Sequence, residues 1–140
     1  MKTVSIKFSV VATMTAVVLS GCTTLPVSYF YGQQIYGDNC VMCHGDGGQG
    51  DGPMADQLYA KPADLTRLTL ENNGEYPRNR VLSHIDGYAR GGNSSGAMPE
   101  FGLLLLGDDV LVETGEGIVT PTPKALIAVS NYIESLQIDG

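Results

Sequence analysis

The chain has 140 residues, 43 % of them hydrophobic, with 8 Lys+Arg against 15 Asp+Glu and a formal net charge of −7. That length suits one ordinary domain, and the apolar share is too high for a disordered chain. The acidic balance, with no run of basic residues, excludes nucleic acid as a partner, because neutralising phosphates requires clustered Lys and Arg.

The front of the chain reads as an export signal. Lys2 and Lys7 precede an uncharged stretch from Phe8 to Leu19, a basic region followed by an apolar one. That stretch is shorter than the roughly 20 residues a permanent membrane helix needs. It ends in Leu19-Ser20-Gly21-Cys22, which resembles the bacterial lipobox, where the Cys thiol takes a diacylglyceryl group before cleavage makes it the new N-terminus. The expected organisation is therefore a lipoprotein signal over 1–21, a lipidated tether over 22–28 and one domain over 29–140. Losing Lys2 and Lys7 leaves 15 acids against 6 bases, a side-chain charge of −9. The expected location is the cell envelope, anchored to a membrane and facing the periplasm or the exterior.

Ser28 can cap a first helix over about Tyr29 to Asn39, with Phe30, Ile35 and Tyr36 on its apolar side. Next comes Cys40-Val41-Met42-Cys43-His44, the CxxCH pattern of covalent c-type haem attachment. Two thiols three positions apart on a turn can each add to a vinyl group of one porphyrin, and the next residue, His44, then lies under the iron. Thiols tend to oxidise after export. With Cys22 lipidated and Cys40 and Cys43 on haem, all three cysteines are used. A thioredoxin-like CxxC would need a βαβ context, and a zinc site would need a further ligand that only His84 could offer. The following Gly45-Asp46-Gly47-Gly48-Gln49-Gly50 spells GxGxxG, but it follows no strand and its acids would repel a pyrophosphate. A flexible loop beside the cofactor is the plainer reading.

Pro77 can open a second helix that carries Val81, Leu82 and Ile85 on one face and stops near Gly87. After it, Gly96-Ala97-Met98-Pro99-Glu100-Phe101-Gly102 is a loop stiffened before Pro99. Candidates for a sixth iron ligand are Met14, Met42, Met54, Met98 and His84. Met14 leaves with the signal, Met42 lies between the thioether cysteines, and His84 reads as a mid-helix surface residue. That makes Met98 the expected ligand and Met54 its rival. Leu103 to Leu106 and Val110 to Val112 hint at strand, as a short hairpin or an extended wall. Thr122 as cap and Pro123 as first residue open a last helix, with Leu126, Val129, Tyr132/Ile133 and Leu136 at the spacing of a buried stripe.

These features together resemble a class I cytochrome c from about Tyr29 to Gln137. Gly32-Gln33-Gln34-Ile35-Tyr36 before Cys40 resembles the family's first helix, which crosses the last helix at the small Gly surface. Val129 and Tyr132 match the residues that pack there, and Met98-Pro99 matches the sixth-ligand loop. The resemblance implies an all-α cytochrome c fold of three or more helices around one covalent haem, with long loops. It also implies a proline whose carbonyl holds the proximal His, which Pro62 in Lys61-Pro62-Ala63-Asp64-Leu65 resembles, with Pro53 as competitor and Leu65 on the haem face. Residues 103–121 exceed what the minimal family needs and form an insertion of unassigned role.

Function follows from this site. Two strong ligands, His44 and Met98, would leave no open position for a substrate, and the expected role is that of a single-haem electron carrier, not an enzyme. Its expected partners are redox proteins with a basic docking patch, with the membrane reached through the lipid and no small-molecule substrate. The alternative is a haem-based gas sensor or peroxidase-like enzyme with a displaceable Met. No distal His–Arg pair for peroxide chemistry can be picked out of the sequence.

Overall fold

The computed structural model describes residues 27–88, 98–114 and 117–138. Cys22, the expected signal and most of the expected tether lie outside the described residues. Four helices form the frame: α1 Val27–Asn39, α2 Val41–His44, α3 Arg78–Asp86 and α4 Lys124–Ser135. Three single 3₁₀ turns, Ala55–Gln57, Leu65–Arg67 and Leu70–Asn72, punctuate the loop between α2 and α3. A two-stranded antiparallel hairpin, β1 Asp109–Glu113 and β2 Val119–Pro123, separates α3 from α4. The expected helical class holds, and the hairpin fills most of the 103–121 insertion.

α1 and α4 cross at Gly32. A Cβ built there would lie 2.0 Å from the Ala128 carbonyl oxygen, so only a glycine lets the two backbones approach this closely. Around the crossing Tyr36, Val129 and Ser130 are almost wholly buried. The stripe of α4 is buried as its spacing predicts, through Leu126, Val129, Tyr132 and Ile133. On α1 the expectation fails for Phe30, which is 56 % exposed. Tyr29, Gly32 and Tyr36 follow the i, i+3, i+7 row that faces α4, whereas Phe30 is turned about 100° away from it. Tyr29 packs on the Tyr132 ring instead, with centroids 5.5 Å apart. The helix also begins at Val27, so Ser28 lies inside its first turn and does not precede it.

Helix α3 buries Val81, Leu82 and Ile85, and Gly87 ends it in the left-handed conformation with its N–H on the Ser83 carbonyl. The expected cap of α4 moves by one residue. Thr122 is buried within β2, and Pro123 with extended backbone precedes the first helical residue, Lys124. Pairing of β2 with β1 holds this segment extended up to the Lys124 N–H, which donates to the Asp108 carbonyl. Strand pairing here overrides a good capping sequence.

Two side-chain clamps tie the loops to α4. Gln137 donates through Nε2 to the Leu65 and Ile133 carbonyls and accepts at Oε1 from the Thr69 N–H. Tyr76 donates its hydroxyl to the Ser130 carbonyl at 3.0 Å, and Arg78 bonds Asn131 and Glu134. Burial pushes the Tyr76 phenol up to about 12, partly opposed by its contact with Ser130. Between the ordinary phenol value of 10 and about 12, the unfolded chain releases this proton while the folded chain keeps it. Stability is therefore full below about pH 10 and falls as pH rises towards 12. Tyr76→Phe should cost about 1 kcal/mol at neutral pH through the lost hydrogen bond. It should also flatten the alkaline decline of the melting temperature, read by circular dichroism.

Candidate haem site

The CxxCH segment is one helical turn. Cys40 N–H donates to the Tyr36 carbonyl, ending α1, and the N–H groups of Cys43 and His44 donate to the Cys40 carbonyl at 3.1 and 2.9 Å. The spacing of Cys40 and Cys43 brings both thiols to the same side of that turn, and neither is in a disulfide. Burial, and then the neighbouring Cys43, push the Cys40 thiol up to about 11, so it stays protonated.

His44 is buried, with Nδ1 3.0 Å from the Ala63 carbonyl oxygen. A carbonyl only accepts, so Nδ1 carries the proton and the Nε2 lone pair is left for a metal. Burial lowers the imidazole's pKa, and the Ala63 bond partly raises it. The partner carbonyl is thus Ala63's, one residue beyond the expected Pro62. Pro62 turns its own carbonyl towards Gly50 and lines the cavity, and Pro53 is exposed. Backbone hydrogen bonds tie residues 45–52 to their neighbours. Gly50 N–H donates to the His44 carbonyl, Gly52 N–H to Cys43, and Leu65 N–H to the Gly48 carbonyl. The GxGxxG segment therefore fastens the Pro62–Leu65 strip behind the imidazole.

Two adjoining cavities meet at this turn, and Cys40, His44 and Met98 line both. The smaller, about 380 Å³, adds Cys43, Leu58, Pro62, Pro99 and Phe101. The larger, about 780 Å³, has an apolar wall of Leu65, Leu68, Val81, Ile85 and Ile133. Met98 is half-buried there, whereas Met54 is more exposed and lines neither cavity. The structure also brings together a pair that the sequence hid. Arg80 and His84, one turn apart on α3, both line the larger cavity. The sequence shows the α3 stripe only as Val81, Leu82 and Ile85; long polar side chains at its border cover apolar surface with their stems.

Two thiols, an oriented imidazole and a thioether on one apolar cleft form a donor set that fits an iron porphyrin. Among the described residues no buried side-chain polar atom lacks a partner. The family model described as Cytochrome c matches residues 31–137, well over half of the chain. No curated protein and no solved structure shows a significant match. With the attachment turn, its oriented histidine, the α1–α4 crossing and this match in agreement, the chain belongs to the cytochrome c family.

Proposed function

We propose that this domain is a lipid-anchored single-haem electron carrier in which His44 and Met98 would hold the iron. When bound, the haem supplies a one-electron ferrous–ferric couple, and a thioether ligand favours the ferrous side. The carrying observation is that Cys40, His44 and Met98 line the same two cavities. Ala63 fixes the imidazole; Cys40 and Cys43 would hold the porphyrin covalently, and Leu65, Leu68 and Ile85 would keep water from it. Optical spectra of both oxidation states test this reading, and the reduced protein should show low-spin bands and refuse carbon monoxide. In the double variant Cys40→Ser/Cys43→Ser the haem stain on a denaturing gel should vanish and mature protein should fall. A full-length band that kept its stain would refute attachment through these thiols.

Anchoring through Cys22 belongs to the same proposal. The lipobox-like Leu19-Ser20-Gly21-Cys22 supports it, and α1 starts at Val27, so only a short tether joins lipid to domain. Among the described residues no helix is long and apolar enough to cross a membrane. Several acyl chains on Cys22 would hold the domain where one gives only marginal binding. Cys22→Ser should move the protein from the membrane fraction to the soluble one, or leave it uncleaved, with the haem spectrum unchanged. Wild type found wholly soluble at both low and high salt would refute the anchor. The −9 side-chain charge favours redox partners with a basic docking patch and association that slows as salt rises.

The peroxidase-like reading has one observation in its favour, the presence of Arg80 and His84 on the same cavity wall as Met98. It requires Met98 to yield its place. Peroxide-dependent oxidation of a phenolic dye by the wild type, lost in His84→Ala, would favour it over the carrier.

A further inference from the structure

The hairpin of the 103–121 insertion leaves aliphatic side chains on its outer face. The register pairs Val110 with Thr122, Leu111 with Pro121, Val112 with Thr120 and Glu113 with Val119. Opposed residues of an antiparallel pair share a face. One face therefore carries Val110, Val112, Thr120 and Thr122: both valines are half-buried and Thr122 is buried, while Thr120 is exposed. The other carries Asp109, Leu111, Glu113, Val119 and Pro121, all exposed, with Leu111 at 73 % and Val119 at 52 %. Both valines and Thr122 are covered, while Leu111 and Val119 stand outward among acids, where solubility alone would place polar residues.

The outer edge of β2 is closed to a further strand. The Lys124-to-Asp108 and Thr114-to-Ile118 bonds fix the hydrogen-bonded positions of the ladder at even-numbered residues. Pro121 and Pro123 thus occupy positions whose nitrogens point outward, where they offer no N–H. The exposed apolar side chains lie on the face. Its charges narrow the choice of occupant. Between Phe101 and Pro123 the sequence holds Asp108, Asp109, Glu113 and Glu116 and no Lys or Arg. Lys124, the nearest base after it, pairs with Asp108 at 3.1 Å. An anionic lipid surface would be repelled. A second copy meeting this face about a two-fold axis would bring Asp109 and Glu113 against their own kind.

We propose that the outer face of the hairpin, Leu111, Val119 and Pro121 between Asp109 and Glu113, docks a redox protein whose contact surface is apolar at its centre and ringed by Lys and Arg. This rests on the electron-carrier reading and gives the insertion its role. The segment is rooted beside the site: Phe101 lines the smaller cavity, and the buried Leu105 N–H donates to its carbonyl.

The test is stopped-flow oxidation of the reduced, haem-loaded full chain by membrane vesicles from its own cell, with ferricyanide as a small oxidant that needs no docking. Leu111→Thr/Val119→Thr keeps strand-forming residues and removes the apolar surface. Its second-order rate with vesicles should fall roughly tenfold, with the ferricyanide rate and circular dichroism unchanged. Asp109→Asn/Glu113→Gln should slow the vesicle reaction about two- to threefold at low salt and flatten its salt dependence. A vesicle rate unchanged in the Thr variant overturns the docking face and leaves the carrier reading standing. A wild type that reacts with ferricyanide but exchanges electrons with no vesicle overturns both. Two other results also overturn the proposal by naming another occupant. One is a concentration-dependent dimer in sedimentation that the Thr variant loses. The other is phosphatidylglycerol vesicles that bind the haem-loaded Cys22→Ser chain and lose it on the same two substitutions.

Discussion

Gly32→Val is expected to leave little folded protein. A Cβ at Gly32 meets the Ala128 carbonyl oxygen at 2.0 Å, its carbon at 2.6 Å and the Tyr132 Cβ at 3.1 Å. The first two obstacles are backbone, which no rotamer change can move. The helices must separate, loosening the contacts of Tyr36, Val129 and Ser130 that the crossing buries. Overpacking typically costs about 1–3 kcal/mol, and more where backbone is the obstacle, against a total stability on the order of 5–15 kcal/mol. Even Gly32→Ala should destabilise, because a gain in helix propensity of about 1 kcal/mol does not offset a contact this short. Gly37 is the control within the same helix: a Cβ there meets nothing within 4 Å. Gly37→Ala should be neutral or stabilising by about 0.5–1 kcal/mol. Denaturant midpoints of the haem-loaded proteins check all three. Equal effects at Gly32 and Gly37 would show that the crossing does not depend on the missing side chain.

What the sequence makes legible depends on whether side chains or backbone do the work. Covalent haem attachment requires two thiols and an imidazole at fixed spacing, so Cys40, Cys43 and His44 stand out before any fold is known. The carbonyl that orients His44 has no such mark, and a proline one residue away drew the assignment that belongs to Ala63. Burial on α4 is legible because its stripe is continuous, whereas on α1 two adjacent aromatics compete and only helical phase separates Tyr29 from Phe30. The hairpin is obscured for a different reason. Leu111 stands outward between two half-buried valines and Val119 outward beside threonines, which blurs the alternation by which a half-buried strand is recognised, and the prolines of β2 argue against strand altogether. Thr122-Pro123 reads locally as a helix start, but cross-strand pairing, a non-local term, decides its conformation.

Met98→Ala is expected to alter the haem site more than any other single change on the distal side. The Met98 side chain lines both cavities that meet at Cys40 and His44, and its loop is anchored by Phe101 N–H on the Ile85 carbonyl. Truncation at Cβ removes the only thioether that lines either cavity among the described residues. The weak sulfur-to-iron charge-transfer band of the oxidised protein should disappear, and the reduced protein should bind carbon monoxide. The midpoint potential should fall by a fraction of the ~0.8 V range that axial ligands command, because a thioether favours ferrous iron. Met54→Ala should change none of these, since Met54 lines neither cavity and its N–H is held by the Met42 carbonyl. If Met54→Ala produced these changes and Met98→Ala did not, the ligand assignment would be reversed. His84 supplies the second control, because it lines the larger cavity from α3. A Met98→Ala protein that stayed low-spin and refused carbon monoxide until His84 was also replaced would mean that this imidazole takes the vacated position. In that event the potential should drop further than for simple loss of the thioether, since imidazole stabilises the ferric state more than a weaker ligand does.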